Sequence, residues 1–124
     1  MSNPTLLKNM TAGAAINAFR LVKFSAAETV VLAAAATDSI IGVCNEVAPA
    51  INERCDIVVE GIAFVEAGAA VALGTPVTAD ASGRGVTAAP AAGVNNRVIG
   101  LAMEAASAAG DVIRVLLSPS VMQG

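Results

Sequence analysis

The chain of 124 residues contains no histidine, no tryptophan and no tyrosine, and only three phenylalanines and two cysteines. Each gap removes a class of function. Without histidine the commonest general base and metal ligand is missing, and neither a Ser-His nor a Cys-His nucleophile pair can be assembled. Without tryptophan or tyrosine there is no platform for stacking sugar rings. Paired carboxylates such as Glu46 and Glu104 therefore read as solvated loop-edge acids rather than the acid and base of a glycosidase. Cys44 and Cys55 are too few for a disulfide framework and fall short of the four ligands zinc takes. The acidic residues do not follow calcium-loop spacing. No catalytic, metal or cofactor-binding residue is assigned, and no cofactor is expected.

Charge is also scarce. Charged residues make up 14% of the chain, the net charge is −3, and the seven Lys and Arg are scattered. Nucleic acid is not expected as a partner, because phosphate contacts supply most of such affinity. Nor is a membrane: a spanning helix needs about 20 apolar residues in a row, whereas the run Val30 to Ala36 is short and Asp38 follows it. The opening "MSNPTLLKNM" lacks the layout of a signal peptide, so the expectation is a soluble protein made in the cytoplasm. "GAAVALGT" lacks the lysine of a phosphate loop, and "GRG" precedes no helix start. A lipoyl or biotinyl carrier presents a lysine at a hairpin tip, and no lysine lies beyond Lys23.

What the chain has is apolar residues, 56% of the total, mostly Ala, Val, Ile and Leu. A domain of this length cannot hide all of them, so part of the apolar surface is expected to meet another surface. Residues 1–15 show no clean period and read as an N-terminal arm; residues 16–124 read as a single β domain. "NAFRLVKF" alternates as a strand does. Thr29 to Ala35 fits helix or strand, with close turn signals favouring strand. "IAFVEAG" continues as strand, and "ALGTPVTADASGRGVTAAP" carries a turn signal every few residues. Ala89 to Asn95 reads as a small-residue loop and "PSVMQG" as an exposed end. Short strands at this spacing point to an all-β barrel or sandwich. Gly83 and Gly85 are expected to supply positive φ at a hairpin turn, with Arg84 between them either touching a partner or simply solvated.

Two stretches resemble each other. With Gly42 set on Gly100, an offset of 58, Ile41 meets Ile99, Glu46 meets Glu104 and Glu53 meets Asp111, while Cys55, Ile57 and Val59 meet Ile113, Val115 and Leu117. Each copy reads as strand, loop, strand, with that apolar trio turned inward. The alternative is chance similarity among Ala-, Val- and Gly-rich strands. Val58 and Leu116 interrupt the opposite, polar face in both copies, which suits a subunit interface. Pairing the strands of the first copy by hydrophobic matching sets Val43 opposite Ile57 and Ile41 opposite Val59. That register sends Cys44 and Cys55 to opposite faces of the sheet, so both are expected to be free thiols.

"VEGIAFVEAGAAVALGTPVTADASGRG" (Val59 to Gly85) and "RVIGLAMEAASAAGDVIRVLLSP" (Arg97 to Pro119) resemble the capsid decoration, or cement, proteins of tailed bacteriophages. The resemblance runs from about Ala12 to near the end. It implies a small β-rich structural protein, without catalytic residues, on the outer surface of an expanded phage head. Such a protein clamps neighbouring capsid subunits against internal DNA pressure. The implied partners are the major capsid protein and the protein itself, as a homotrimer before a dimer, and the implied location is the virion. The candidate contacts are Asn3, Pro4, Leu6, Leu7, Lys8 and Met10 of the arm, Val58 and Leu116 of the interrupted faces, and Arg84. The arm is either the capsid anchor or disordered until a partner is present. The competing reading of the whole chain is a small oligomeric β-module for adhesion or carbohydrate binding.

Overall fold

A computed structural model describes residues 3–124. Nine strands account for the regular structure, and the described residues contain no helix: β1 (Asn3–Ala12), β2 (Leu21–Ala26), β3 (Thr29–Leu32), β4 (Ile40–Cys44), β5 (Arg54–Glu66), β6 (Pro76–Ala79), β7 (Gly85–Thr87), β8 (Asn95–Ala102) and β9 (Val112–Gln123). They form one sheet in the order β1-β3-β2-β4-β5-β9-β8-β6-β7, with β1 also bonded to β5. That extra pairing closes β1, β3, β2, β4 and the first half of β5 into a five-stranded barrel. β1 runs antiparallel to β5 and parallel to β3.

The second half of β5 opens another five-stranded set with β9, β8, β6 and β7, which returns to β5 through a parallel bridge between Ala67 and Gly85. This set is a structural copy of the first. Adding 55 to residue numbers in β1–β3 and 58 to those in β4 and early β5 converts one set of pairings into the other. Met10↔Cys55 becomes Val65↔Ile113, and Lys23↔Val31 becomes Thr78↔Val86. Val22↔Gly42 becomes Val77↔Gly100, and Cys44↔Ile57 becomes Ala102↔Val115. The expected strand-loop-strand repeat is thus half of a longer one, and the long strand β5 belongs to both barrels.

Backbone details follow the same rule. The three non-glycine residues with positive φ are Phe19, Glu28 and Asn52; their counterparts Gly74, Gly83 and Gly110 also have positive φ. Side chains strain that conformation and glycine does not. Glu53 accepts a hydrogen bond from the Ala50 amide, and Asp111, its counterpart, accepts one from the Ala108 amide. Each carboxylate holds its own hairpin loop.

Two cores result. Met10, Ala12, Ile16, Val22, Val30, Cys44, Cys55 and Ile57 fill the first barrel. Val65, Ala67, Val71, Val77, Ala102, Ile113 and Val115, the counterparts of all but Val30, sit in a larger cluster that also takes in Leu21, Ile40, Val43 and Val58 from the outer wall of the first barrel. Gly85 stands at the counterpart of Val30. An added Cβ there would lie 2.8 Å from Val65 Cγ1, so its smallness serves packing; of the two glycines expected at positive φ, only Gly83 has it.

The double core corrects the expected hairpin register. Val43 pairs with Val58, and Cys44 with Ile57. Hydrophobic matching misleads here because both faces of β4 are buried: Val43 turns to the larger cluster, Cys44 into the first barrel. The two cysteines therefore share a face instead of taking opposite ones. They are nevertheless unbonded. Cys44 stands diagonally from Cys55 across the β4–β5 ladder, and diagonal neighbours sit about 7–8 Å apart, beyond disulfide reach. Two further expectations change. The segment read as an arm is strand β1 from Asn3, with Met10 and Ala12 in the core; residues 1 and 2 lie outside the described residues. The end read as a loose tail continues β9 to Gln123, paired with β8 from Asn95 to Val98.

Candidate interaction surfaces

Leu6 and Leu7 are exposed on β1, on either side of a register shift opposite β5. Lys8 lies 4.0 Å from Glu28 on the surface. Asn3 and Pro4 are placed by their backbone pairing with Ile62 and Gly61; their side chains lie outside the described residues. Met10 faces the first barrel's interior and presents no surface.

Val58 and Leu116, which occupy equivalent positions, have opposite fates. Val58 is 2% exposed and its partner Val43 is 0% exposed, both covered by the second half of the chain. Leu116 is 43% exposed and its partner Leu101 44%. The row Leu7–Val58–Val43 on the first barrel corresponds to Ile62–Leu116–Leu101 on the second. Val58, expected at an outer interface, is instead an internal contact between the two halves, whereas the row through Leu116 is open. Val112 and Met103 enlarge that apolar face.

Arg84 does not reach out from its turn. Its Nε donates to Asp80 Oδ2 at 3.2 Å, while Asp80 Oδ1 accepts the amides of Ser82 and Arg84. The turn is braced from within. Glu46 and Glu104, equivalent loop-edge acids, also differ. Glu104 accepts a hydrogen bond from Arg114 Nε, but at the position matching Arg114 the first half carries Asp56. Glu46 and Asp56 line a cavity of about 250 Å³ with Asn9, Asn45, Val47, Arg54 and Cys55.

Burial, with the neighbouring Cys55 adding to it, pushes the Cys44 thiol up to about 12, and burial likewise raises Cys55. Neither is a ready nucleophile, since only the thiolate attacks. Among the described residues no three His, Cys, Asp or Glu side chains gather as metal ligands. Among the described residues no helix is long and apolar enough to cross a membrane.

Two barrels share a strand, and their equivalent apolar pairs differ in exposure. The family model for phage cement proteins matches residues 2–117, and the chain belongs to that family. It is a structural protein of the phage capsid, of a family that is not an enzyme class. No curated protein matches the chain. Among solved structures it is similar to the N base of the head fiber protein gp8.5 in bacteriophage phi29, at 19% identity and a TM-score of 0.70, over 96% of this chain and 98% of that one. That likeness shows a shared fold.

Proposed function

We propose that this protein binds the outer surface of a phage head, made of the major capsid protein, and stabilises it by clamping neighbouring capsid subunits. It is made in the host cytoplasm and acts as a homo-oligomer, with a trimer favoured over a dimer. The observation that carries the self-association is the open pair Leu116 and Leu101, flanked by half-buried Ile62. Val58 and Val43, their counterparts on the first barrel, are covered by the second half of the chain, so the fold already contains one instance of how such a pair is buried. Repeating that contact between chains joins unlike surfaces head to tail. A head-to-tail contact closes as a ring where its rotation permits and otherwise runs on as a filament, whereas a twofold dimer needs a self-complementary patch; the proposed assembly is a closed ring of three copies. Covering the exposed half of two leucines contributes about 1 kcal/mol each, a modest contact that a symmetric shell multiplies. Leu6, Leu7 and Lys8 on β1, with Asn3 and Pro4, remain the proposed capsid-facing edge, while Arg84 is a weaker contact because Asp80 occupies it.

Sedimentation of the wild type and of a Leu101→Glu, Leu116→Glu double variant tests the ring, and co-sedimentation with expanded heads lacking the protein tests decoration. The expected result is a trimer that the double variant disperses while keeping its β-sheet circular dichroism. A stable wild-type monomer that also decorates heads as isolated copies overturns the reading.

A further inference from the structure

We propose that the cavity beside Glu46 and Asp56 is a socket for an arginine side chain of a partner protein. The argument comes from the chain's own second half, which shows the same place occupied. There Arg114, on β9, donates from its guanidinium to Glu104 at the edge of the β8–β9 loop. The first half keeps the acceptor, as Glu46, but has Asp56 where the arginine stands. The remaining wall changes with it: Asn9 and Asn45 replace the counterparts Phe64 and Met103. A half-exposed ion pair with apolar neighbours in sequence has become a cavity of about 250 Å³ lined by Glu46, Asp56, Asn9 and Asn45 together with Arg54, Val47 and Cys55.

The one cation in the wall, Arg54, forms no ion pair with either carboxylate. Arg54 is held along β1 by hydrogen bonds to Asn9 Oδ1 at 2.6 Å, Thr11 Oγ1 at 2.9 Å and the Asn9 carbonyl at 3.3 Å. Asp56 Oδ1 accepts from Asn9 Nδ2, and among the described residues no cation lies within ion-pair distance of Glu46 or Asp56. Two carboxylates lining one cavity suit a planar group with several fixed donors. Arginine presents five such donors and gives up its water more readily than lysine. Its donors also meet carboxylates in the two-pronged geometry that a point-like ammonium cannot match.

The test uses the isolated protein and does not depend on the capsid reading. ¹⁵N spectra are recorded while N-acetyl-arginine methylamide is added at millimolar concentrations, with the neutral isostere N-acetyl-citrulline methylamide as control. Saturable shifts are expected at the Asn45, Glu46 and Asp56 amides and the Asn9 side-chain amide, with arginine alone. Asp56→Arg, which recreates the ion pair of the second half, is expected to abolish the response, and Glu46→Gln to weaken it at least several-fold with the rest of the spectrum unchanged. Absence of a saturable arginine response, an equal response to citrulline, or a full response in both variants overturns the proposal.

Discussion

Gly100→Ala adds one methyl group where β8 crosses β9, and the structure leaves no room for it. The new Cβ would fall within the van der Waals shell of the Leu116 carbonyl oxygen and 3.0 Å from Leu117 Cα. The equivalent Gly42→Ala would place it 2.5 Å from the Val58 carbonyl oxygen and 2.7 Å from Ile57 Cγ2. Comfortable contacts lie near about 3.5 Å, so the strands must separate by about 1 Å at Gly42 and by more at Gly100. In both cases the nearest obstacle is backbone, which no rotamer change moves. Overpacking costs about 1–3 kcal/mol, and a ladder hydrogen bond pulled apart in the interior adds about 1–3 kcal/mol. Gly100→Ala is therefore expected to lose about 3–5 kcal/mol and Gly42→Ala somewhat less. At about 4 °C per kcal/mol, the melting temperature falls by about 12–20 °C. Gly93→Ala is the control: nothing lies within 4 Å of its Cβ, but φ is +79°, so only the left-handed backbone cost of about 1–2 kcal/mol applies. With no Trp or Tyr in the chain, urea unfolding followed by far-ultraviolet circular dichroism, or calorimetry, is the assay. A Gly100→Ala variant no less stable than Gly93→Ala would refute the reasoning.

Thiol titration is expected to find two free thiols per chain in denaturant and almost none reacting in the native state. Stability should decline above pH 9, where the unfolded thiols ionise while folded Cys44 keeps its proton until about 12. Cys44→Ala, which copies Ala102 at the matching position, should flatten that decline; rapid native labelling would contradict the burial. At the acid end, burial works against the Asp38 carboxylate, but the Ala34 amide and Lys23, at 2.9 Å, hold its pKa below 3.8. A lowered carboxylate stabilises above its unfolded pKa, and that contribution disappears as pH falls through the folded value. Asp38→Asn should therefore lower the urea midpoint at pH 7, with the gap to the wild type narrowing as the pH is taken down through the acid range; a gap that stays constant with pH would count against the ion pair.

The all-β class and the second half of each repeat were legible in the sequence because Cys55, Ile57 and Val59 alternate as Ile113, Val115 and Leu117 do. The first half of the repeat was present too, as "TAGAAINAF" from Thr11 and "EAGAAVALG" from Glu66. It stood at an offset of 55 rather than 58, and a single ungapped alignment misses it. The register failed at β4 for a physical reason: alternation identifies a buried face only when the other face is polar, and here Val43 and Cys44 are both fully buried. Val58 misled in the same way, since an apolar residue on an outward face looks alike whether its cover comes from another chain or from the same one. Met10 and Ala12 were hidden by exposed Leu6 and Leu7, which break the alternation of β1. Glu46 and Glu104 were paired correctly by the repeat, but only the structure separates the acid with an arginine from the acid beside a cavity.

β5 gives the module a property that linked domains lack. Its 13 residues are bonded first into one barrel and then into the other, with Gly61, at φ 95°, turning the strand between them. No tether sets the spacing of the two lobes, so the cavity on one and the apolar row on the other stand at a distance held by ladder hydrogen bonds. An assembly in which a neighbouring copy covers the apolar row and a partner's arginine fills the cavity would make the second contact at a high effective concentration, with little freedom between the lobes left to lose. If both proposed surfaces are used, the shared strand fixes their spacing, and two weak contacts reinforce each other only where their targets are spaced to match.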